Sequence, residues 1–341
     1  MKFARAAKEN PTLKKALEKV VLFKANVHEE AGEKLADRYN AHGIPQFFLL
    51  DKDGTALDRW HGYGLVSDWL QDYEGALSDL TPIEAKVERF KTQPTETVAA
   101  ALGRIRSAED NPKEAVRYYR EAQNLASAPS SRYATEIFLN QFHGSDKSEF
   151  TLDELKASAD AVFAIEPGDD LHRAVIGWSM ADLANTKKDP SILKPYLARA
   201  VEAAARVDDP DVARMAREDL LVTEALLIQG DKEKALAIKK DWMPQGWAED
   251  PEKLNDLAWW CFRNEVNLEE GERLARKGIA LAKDDKEKAQ ILDTAAEICN
   301  LLGNCKDSVS LIAEAAKLDP DSEHYKKQLA RFQELLAKQR G

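Results

Sequence analysis

The sequence predicts an α/β segment over residues 1–80, a linker helix over 81–93, and an all-α array over 94–341, so that the chain is mostly helical. Apolar runs at 20–27 and 46–50 flank a helix-length polar interval, as in a β-α-β unit. After residue 94 the strand patterns stop, and helix-length segments alternate with short turns in which small residues recur. These observations together define the predicted fold class.

Composition and charge narrow the possible functions. The chain has 341 residues, which is enough for two domains with cores of their own. Its formal net charge of −11 argues against nucleic acid as a partner, because such binding needs a cationic face. No apolar run approaches the roughly 20 residues of a membrane helix. We therefore expect no nucleic-acid partner and no membrane span, while the oligomeric state stays open.

Residues 1–19 bear on both the local structure and the cellular location of the protein. Residues 1–19 read as an amphipathic helix that is interrupted at Pro11, without the apolar core of a signal peptide. The sequence as written predicts a cytoplasmic protein. A periplasmic or secreted location is expected instead if a signal peptide precedes these residues.

The α/β segment is predicted to contain three strands and two helices, in the order β-α-β-β-α. The run at 20–27 is almost continuously apolar, which is typical of a central strand covered on both faces. A helix over 29–41 follows and stops at Gly43. Gln46 begins a second strand, Asp51-Lys-Asp-Gly54 supplies a tight turn, and a return strand leads to a closing helix over 65–80.

These elements resemble the second half of a thioredoxin domain. Ile44-Pro45 stands where that family has its cis-proline, and Gly62 stands at its closing glycine. The resemblance implies a cis Ile44–Pro45 bond, and a groove lined by Ile44 and Pro45 that binds an extended peptide. The missing cysteine-bearing strand would lie between the Val20 and Gln46 strands of the family's sheet.

The chemistry of that family needs a Cys-x-x-Cys pair, and residues 1–80 contain no cysteine. We therefore expect no catalytic residue and no cofactor in the chain as written. The alternative is that the chain is a fragment of a thiol-disulfide oxidoreductase whose cysteine pair lies before Met1.

The helical array begins after a predicted capping box at Thr81-Pro82-Ile83-Glu84. Its first helix pair and its C-terminal pairs, at 257–275 and 291–320, resemble tetratricopeptide (TPR) repeats. Residues 151–242 predict degenerate repeats, and 322–339 predict a polar capping helix. The residues that match the family's packing positions are Leu102, Gly103, Ala115, Tyr119, Ala122, Ala296 and Ala315. A thioredoxin-like domain joined to such an array is a bacterial type of fusion.

The TPR resemblance implies a protein or peptide partner bound on the concave face of the array. Trp259 and Trp260 lie on a predicted first helix, and adjacent positions point about 100° apart. In one interpretation, one ring lies in the core and the other is partly exposed on the concave binding face. The sequence favours the other interpretation, in which both rings pack between repeats. The basic pattern that clamps a C-terminal carboxylate is not evident, so chaperone tails are not favoured.

Metal and thiol chemistry have little support in the sequence. The three cysteines, Cys261, Cys299 and Cys305, have no C-x-x-C spacing and are expected to be small buried hydrophobes. No histidine pair has the spacing of a zinc-binding helix. The sequence thus predicts no metal site and favours a non-catalytic binding scaffold.

Overall fold

The computed structural model describes residues 2–340 and folds them into a β-hairpin and 18 α-helices. The first elements are α1 (Lys2–Glu9), α2 (Pro11–Leu17), α3 (Glu30–Tyr39), β1 (Gln46–Leu50), β2 (Ala56–His61), α4 (Val66–Leu77), α5 (Ile83–Thr92), α6 (Glu96–Ala108), α7 (Pro112–Leu125), α8 (Ser131–Ser145) and α9 (Leu152–Ala164). The later helices are α10 (Asp170–Lys187), α11 (Leu197–Ala204), α12 (Pro210–Thr223), α13 (Lys232–Asp241), α14 (Pro251–Asn264), α15 (Leu268–Leu281), α16 (Asp285–Leu301), α17 (Cys305–Leu318) and α18 (Glu323–Arg340).

The chain forms two compact units. The first contains residues up to 180 together with 198–216, and the second contains 181–197 together with the residues from 217 onward. The hairpin and helices α5 to α9, which the sequence analysis assigned to different domains, belong to the same unit.

The β-hairpin forms where the sequence predicts it. β1 and β2 are antiparallel, with Gln46 opposite His61 and Phe47 opposite Trp60. Asp51 closes the turn because its Oδ1 accepts hydrogen bonds from the backbone N–H groups of Asp53 and Thr55, at 2.9 and 2.8 Å. Trp60 then packs with Trp69 of α4 in an aromatic cluster on one side of the hairpin.

The predicted central strand at 20–27 is not formed, and this prediction was wrong. Residues 21–26 have no regular secondary structure, and Val21 and Phe23 are 97% and 76% exposed. A buried strand needs neighbours that pair its backbone and cover its faces. Among the described residues the sheet contains β1 and β2 alone, so it shows no thioredoxin-like sheet.

A capping box is present at the start of α9. Thr151 and Glu154 cap α9 reciprocally, with Thr151 N 2.8 Å from Glu154 Oε2. The box expected at Thr81–Glu84 is absent, because Pro82 occupies the N-cap of α5 and has no side chain that accepts a hydrogen bond. The Thr81 hydroxyl instead donates to Asp79 Oδ1 at 2.7 Å.

Helices pack on their chain neighbours in both units. In the first unit α6, α7, α8 and α9 pack in succession, and in the second α14 to α18 do the same. Helix α14 also packs on α16, the first helix of the next pair, as TPR-like arrays require. Helix α18 covers the end of this series with Phe332, which is fully buried. Among residues 2–340, no helix combines the length and apolarity needed to cross a membrane.

Candidate functional site

Ile44 and Pro45 lie in the exposed loop between α3 and β1. Their peptide bond is cis, as the thioredoxin resemblance implies. The Ile44 side chain is 73% exposed, and Pro45 is exposed as well. In this structure the two residues form an open surface loop.

The residues that match TPR packing positions lie inside the helix pairs. Leu102, Ala115, Ala122, Ala296 and Ala315 are fully buried. Gly103 lies against Tyr119, whose ring atoms would be only 2.9 Å from a Cβ at position 103. These residues hold helices together and present no surface to a ligand.

The tryptophan pair divides into one core and one surface residue. Trp260 packs against the buried clusters that include Leu254 and Ala235. Trp259 is 39% exposed, and its ring centroid lies 4.9 Å from that of Phe262. The solvent-facing ring therefore rests on a second aromatic, which fixes its orientation.

Asn255, Trp259 and Phe262 follow the i, i+4, i+7 spacing that places side chains on one face of α14. Asn255 also lines a cleft of about 280 Å³, and Gln290 of α16 lines the same cleft. Within the described residues, the buried Oδ1 of Asn255 has no hydrogen-bond partner. An unsatisfied acceptor of this kind is rare in native proteins and points to a missing donor.

From Gln290 the same face of α16 continues to Asp293 and Glu297. His324 Nε2 of α18 lies 2.8 Å from Asp293 Oδ2, whereas Asp293 Oδ1 has no partner in the described part of the chain. Burial raises the pKa of the Asp293 carboxyl, and the nearby His324 opposes this effect. Glu297 accepts hydrogen bonds from Gln328 and Arg331 of α18.

We call the surface formed by Asn255, Trp259, Phe262, Asp293 and Glu297 the α14–α16 face. It combines an exposed aromatic with two hydrogen-bond acceptors that lack a donor within residues 2–340. The sequence analysis identified Trp259 but missed Asn255 and Asp293. The repeated helical spacing on α14 and α16 is the sequence signal that relates these residues.

Two of the three cysteines of this unit are poorly suited to thiol chemistry, whereas the third, Cys305, is only partly buried and not the buried residue that the sequence predicts. Cys261 and Cys299 are buried free thiols, and burial raises the pKa of each to about 12. Such thiols stay protonated at neutral pH, and the thiolate is the reactive form. Residues 2–340 contain no cluster of three or more side chains arranged to hold a metal ion.

A second polar cluster, which the sequence analysis also missed, lies in the first unit. Asp58 of β2 is fully buried and accepts hydrogen bonds from Arg104 Nε and Nη2 at 3.2 and 2.8 Å. Lys86 is equally buried; its Nζ lies 3.8 Å from Asp58 Oδ2 and donates to the carbonyls of Leu57 and Thr81. Burial lowers the pKa of Lys86. This cluster ties the hairpin to α5 and α6.

Two further carboxylates, Asp72 of α4 and Glu136 of α8, lie near this polar cluster. Arg132 Nη2 lies 2.5 Å from Asp72 Oδ1, and Arg104 Nη1 lies 3.8 Å from the same atom. Burial raises the pKa of Glu136 to about 7, the negative charge of Asp72 adds to the effect, and Arg132 opposes it. Burial raises the pKa of Asp72 as well.

This arrangement predicts a pH-dependent stability. The pKa of Glu136 is raised in the folded state, so its protonated side chain contributes stability that is complete below the ordinary pKa of 4.5. This stability is lost as the pH rises through about 7. Glu136→Gln should therefore raise the free energy of unfolding at about pH 8 by roughly 1–2 kcal/mol and change it little at about pH 5. Urea unfolding at both pH values measures this, with Glu84→Gln on the exposed side of α5 as the control. Equal effects at both pH values would contradict it.

Comparisons with known proteins add limited information. No protein-family model matches the chain, and no curated protein sequence matches it. Among solved structures, the chain is similar to PilW, a widely conserved type IV pilus biogenesis factor, with 17% identity, a TM-score of 0.43, and coverage of 69% of this chain and 98% of PilW. It is also similar to a chain of the Naa15/Naa10 complex bound to HypK-THB, with 12% identity, a TM-score of 0.26, and coverage of 74% of this chain and 47% of the other. These scores are too low to carry a functional conclusion. The chain is a mainly α-helical, TPR-like protein on the evidence of its own helix pairs.

Proposed function

We propose that this chain is a non-catalytic scaffold that binds a protein or peptide segment on the α14–α16 face. The observation that carries the proposal is the exposed Trp259 ring, which packs on Phe262 and lies one helical turn from Asn255, whose Oδ1 has no donor among the described residues. Tryptophan is among the residues that contribute most to binding energy at protein interfaces. A solvated tryptophan held in one orientation is suited to such contacts.

The polar groups of the face favour a peptide over a wholly apolar ligand. Asn255 Oδ1 and Asp293 Oδ1 are acceptors without a partner among the described residues, and a peptide supplies N–H donors from its backbone and its basic side chains. An apolar or aromatic residue of the same peptide would contact Trp259. The expected ligand is therefore a segment that combines an apolar residue with an adjacent basic or backbone donor.

The thiol-disulfide alternative has no comparable support. Cys261 and Cys299 have raised pKa values and are buried, and no cysteine lies near the Ile44–Pro45 loop in sequence.

The proposal is tested with a phage-displayed library of random linear peptides selected on the full chain. We expect enriched peptides with an apolar residue next to Lys or Arg, and fluorescence anisotropy should show that Trp259→Ala weakens their binding about tenfold or more. Trp178→Ala is the matched control because Trp178 of α10 is also 39% exposed, and it should change the affinity less than about twofold. Failure to enrich any peptide, or equal effects of the two variants, would contradict the proposal.

A further inference from the structure

The first unit contains a cleft that is separate from the α14–α16 face. It has a volume of about 390 Å³ and lies between α7, α8 and α9. Ala134, Ile137 and Gln141 of α8 line it, together with Ala157, Ala161 and Ile165 of α9. We call it the α7–α9 cleft. Apart from Gln141, these residues offer alkyl groups, so the cleft favours an apolar body.

Gln141 is one of the polar side chains in this lining. Its side chain is buried, and the residue is 1% exposed. Its Oε1 accepts a hydrogen bond from the Ser158 hydroxyl, but its Nε2 has no acceptor among the described residues. A buried amide N–H without an acceptor is rare, because burial removes the water that would otherwise satisfy it.

Most of the other polar side chains at the cleft have hydrogen-bond partners, and the exposed Arg120 lies close enough to Glu154 for its charge to help lower the pKa of that carboxyl. Glu154 forms the capping box with Thr151, and the Ser158 hydroxyl also lies 2.9 Å from the Glu154 carbonyl. With its amide turned so that donors face acceptors, Gln123 donates a hydrogen bond to the Ser130 carbonyl at 3.1 Å and accepts one from the Ser130 N–H at 3.0 Å. Among the residues that the structure describes, Gln141 Nε2 is thus the buried donor at the cleft without an acceptor, whereas Arg120 presents an exposed guanidinium.

We propose that the α7–α9 cleft binds the side chain of a tyrosine from a partner protein. The ring occupies the space between the alkyl side chains, and the phenol oxygen accepts a hydrogen bond from Gln141 Nε2. Tyrosine fits because it joins a large apolar body to a single polar tip. Phenylalanine fills the same space but leaves the Gln141 donor without an acceptor. This site does not depend on the proposed function of the α14–α16 face.

The experiment uses the two side-chain analogues, p-cresol for tyrosine and toluene for phenylalanine, titrated into the full chain. Binding is followed in proton–nitrogen correlation spectra through the Gln141 side-chain amide and the backbone amides of α8 and α9. We expect saturable shifts at these positions and about threefold to tenfold tighter binding of p-cresol than of toluene.

Gln141→Met provides the matched variant, because it keeps the length of the side chain and removes the donor. It should bind toluene as the original protein does and lose the preference for p-cresol. Equal affinity of the original protein for the two probes, no saturable binding of p-cresol, or a preference that survives in Gln141→Met would overturn the proposal. If Gln141→Met does not fold, the unsubstituted chain decides the question through the Gln141 side-chain amide, which should shift with p-cresol and much less with toluene.

Discussion

Replacing Asp58 by alanine is expected to lower the free energy of unfolding of the first unit by about 3–5 kcal/mol. Asp58 is the carboxylate between two buried cations, Lys86 and Arg104. Arg104 keeps a raised pKa despite its burial because Asp58 and Asp72 attract its charge. Without Asp58, Lys86 loses its nearest anion, and both cations remain in a site that water reaches poorly. Urea unfolding followed by far-ultraviolet circular dichroism measures the loss.

The control for this prediction is Asp53→Ala. Asp53 lies in the exposed hairpin turn, where it pairs with Lys52, and surface pairs of this kind contribute about 0–1 kcal/mol. Asp58→Ala should therefore lower the free energy of unfolding by clearly more than Asp53→Ala does. A loss for Asp58→Ala as small as that for Asp53→Ala would mean that the cluster does not hold the hairpin to α5 and α6.

Gly103→Leu is expected to destabilise the first unit by roughly 3 kcal/mol, although leucine is the better helix former. A Cβ at position 103 would lie 2.9 Å from the Tyr119 ring, which is itself buried between helices. The larger side chain must therefore push α6 and α7 apart or force Tyr119 from its position. The free energy of unfolding of the single variants and the double variant measures this.

The double variant Gly103→Leu/Tyr119→Ala separates packing from helix propensity. Tyr119→Ala alone should cost about 3–5 kcal/mol because it leaves a cavity. If leucine fills that cavity, the double variant should lose less stability than the sum of the two single variants, by about 1 kcal/mol or more. Strict additivity would show that the close contact between positions 103 and 119 does not determine how α6 and α7 pack.

Local signals in the sequence predicted much of the fold. The strand at 46–50 and its turn were predicted because a short apolar run and the turn residues after it act over a few positions. Gly103 and Tyr119 were paired because the repeat period relates them. The segment at 20–27 was predicted wrongly, because a strand depends on partners that its own apolar residues cannot reveal.

The functional residues were predicted less completely. The sequence indicated that Trp259 and Trp260 point in different directions, but only the structure shows that Trp259 is the exposed one. Asp58 looked like an ordinary polar residue of a hairpin, because its partner Arg104 is 46 positions away. Gln141 is one glutamine on a long helix, and only the packing of α9 buries it and gives Ser158 as its partner.

The central claim is that the α14–α16 face is the binding surface, and hydrogen–deuterium exchange of the full chain with a selected peptide tests it most directly. Binding that orders this face should slow amide exchange in α14 and α16, at residues 251–264 and 285–301, and leave α4 and the β-hairpin unchanged. The same protection should be lost in Trp259→Ala and kept in Trp178→Ala. Protection confined to other elements, with exchange in α14 and α16 unaltered by the peptide, would contradict the account.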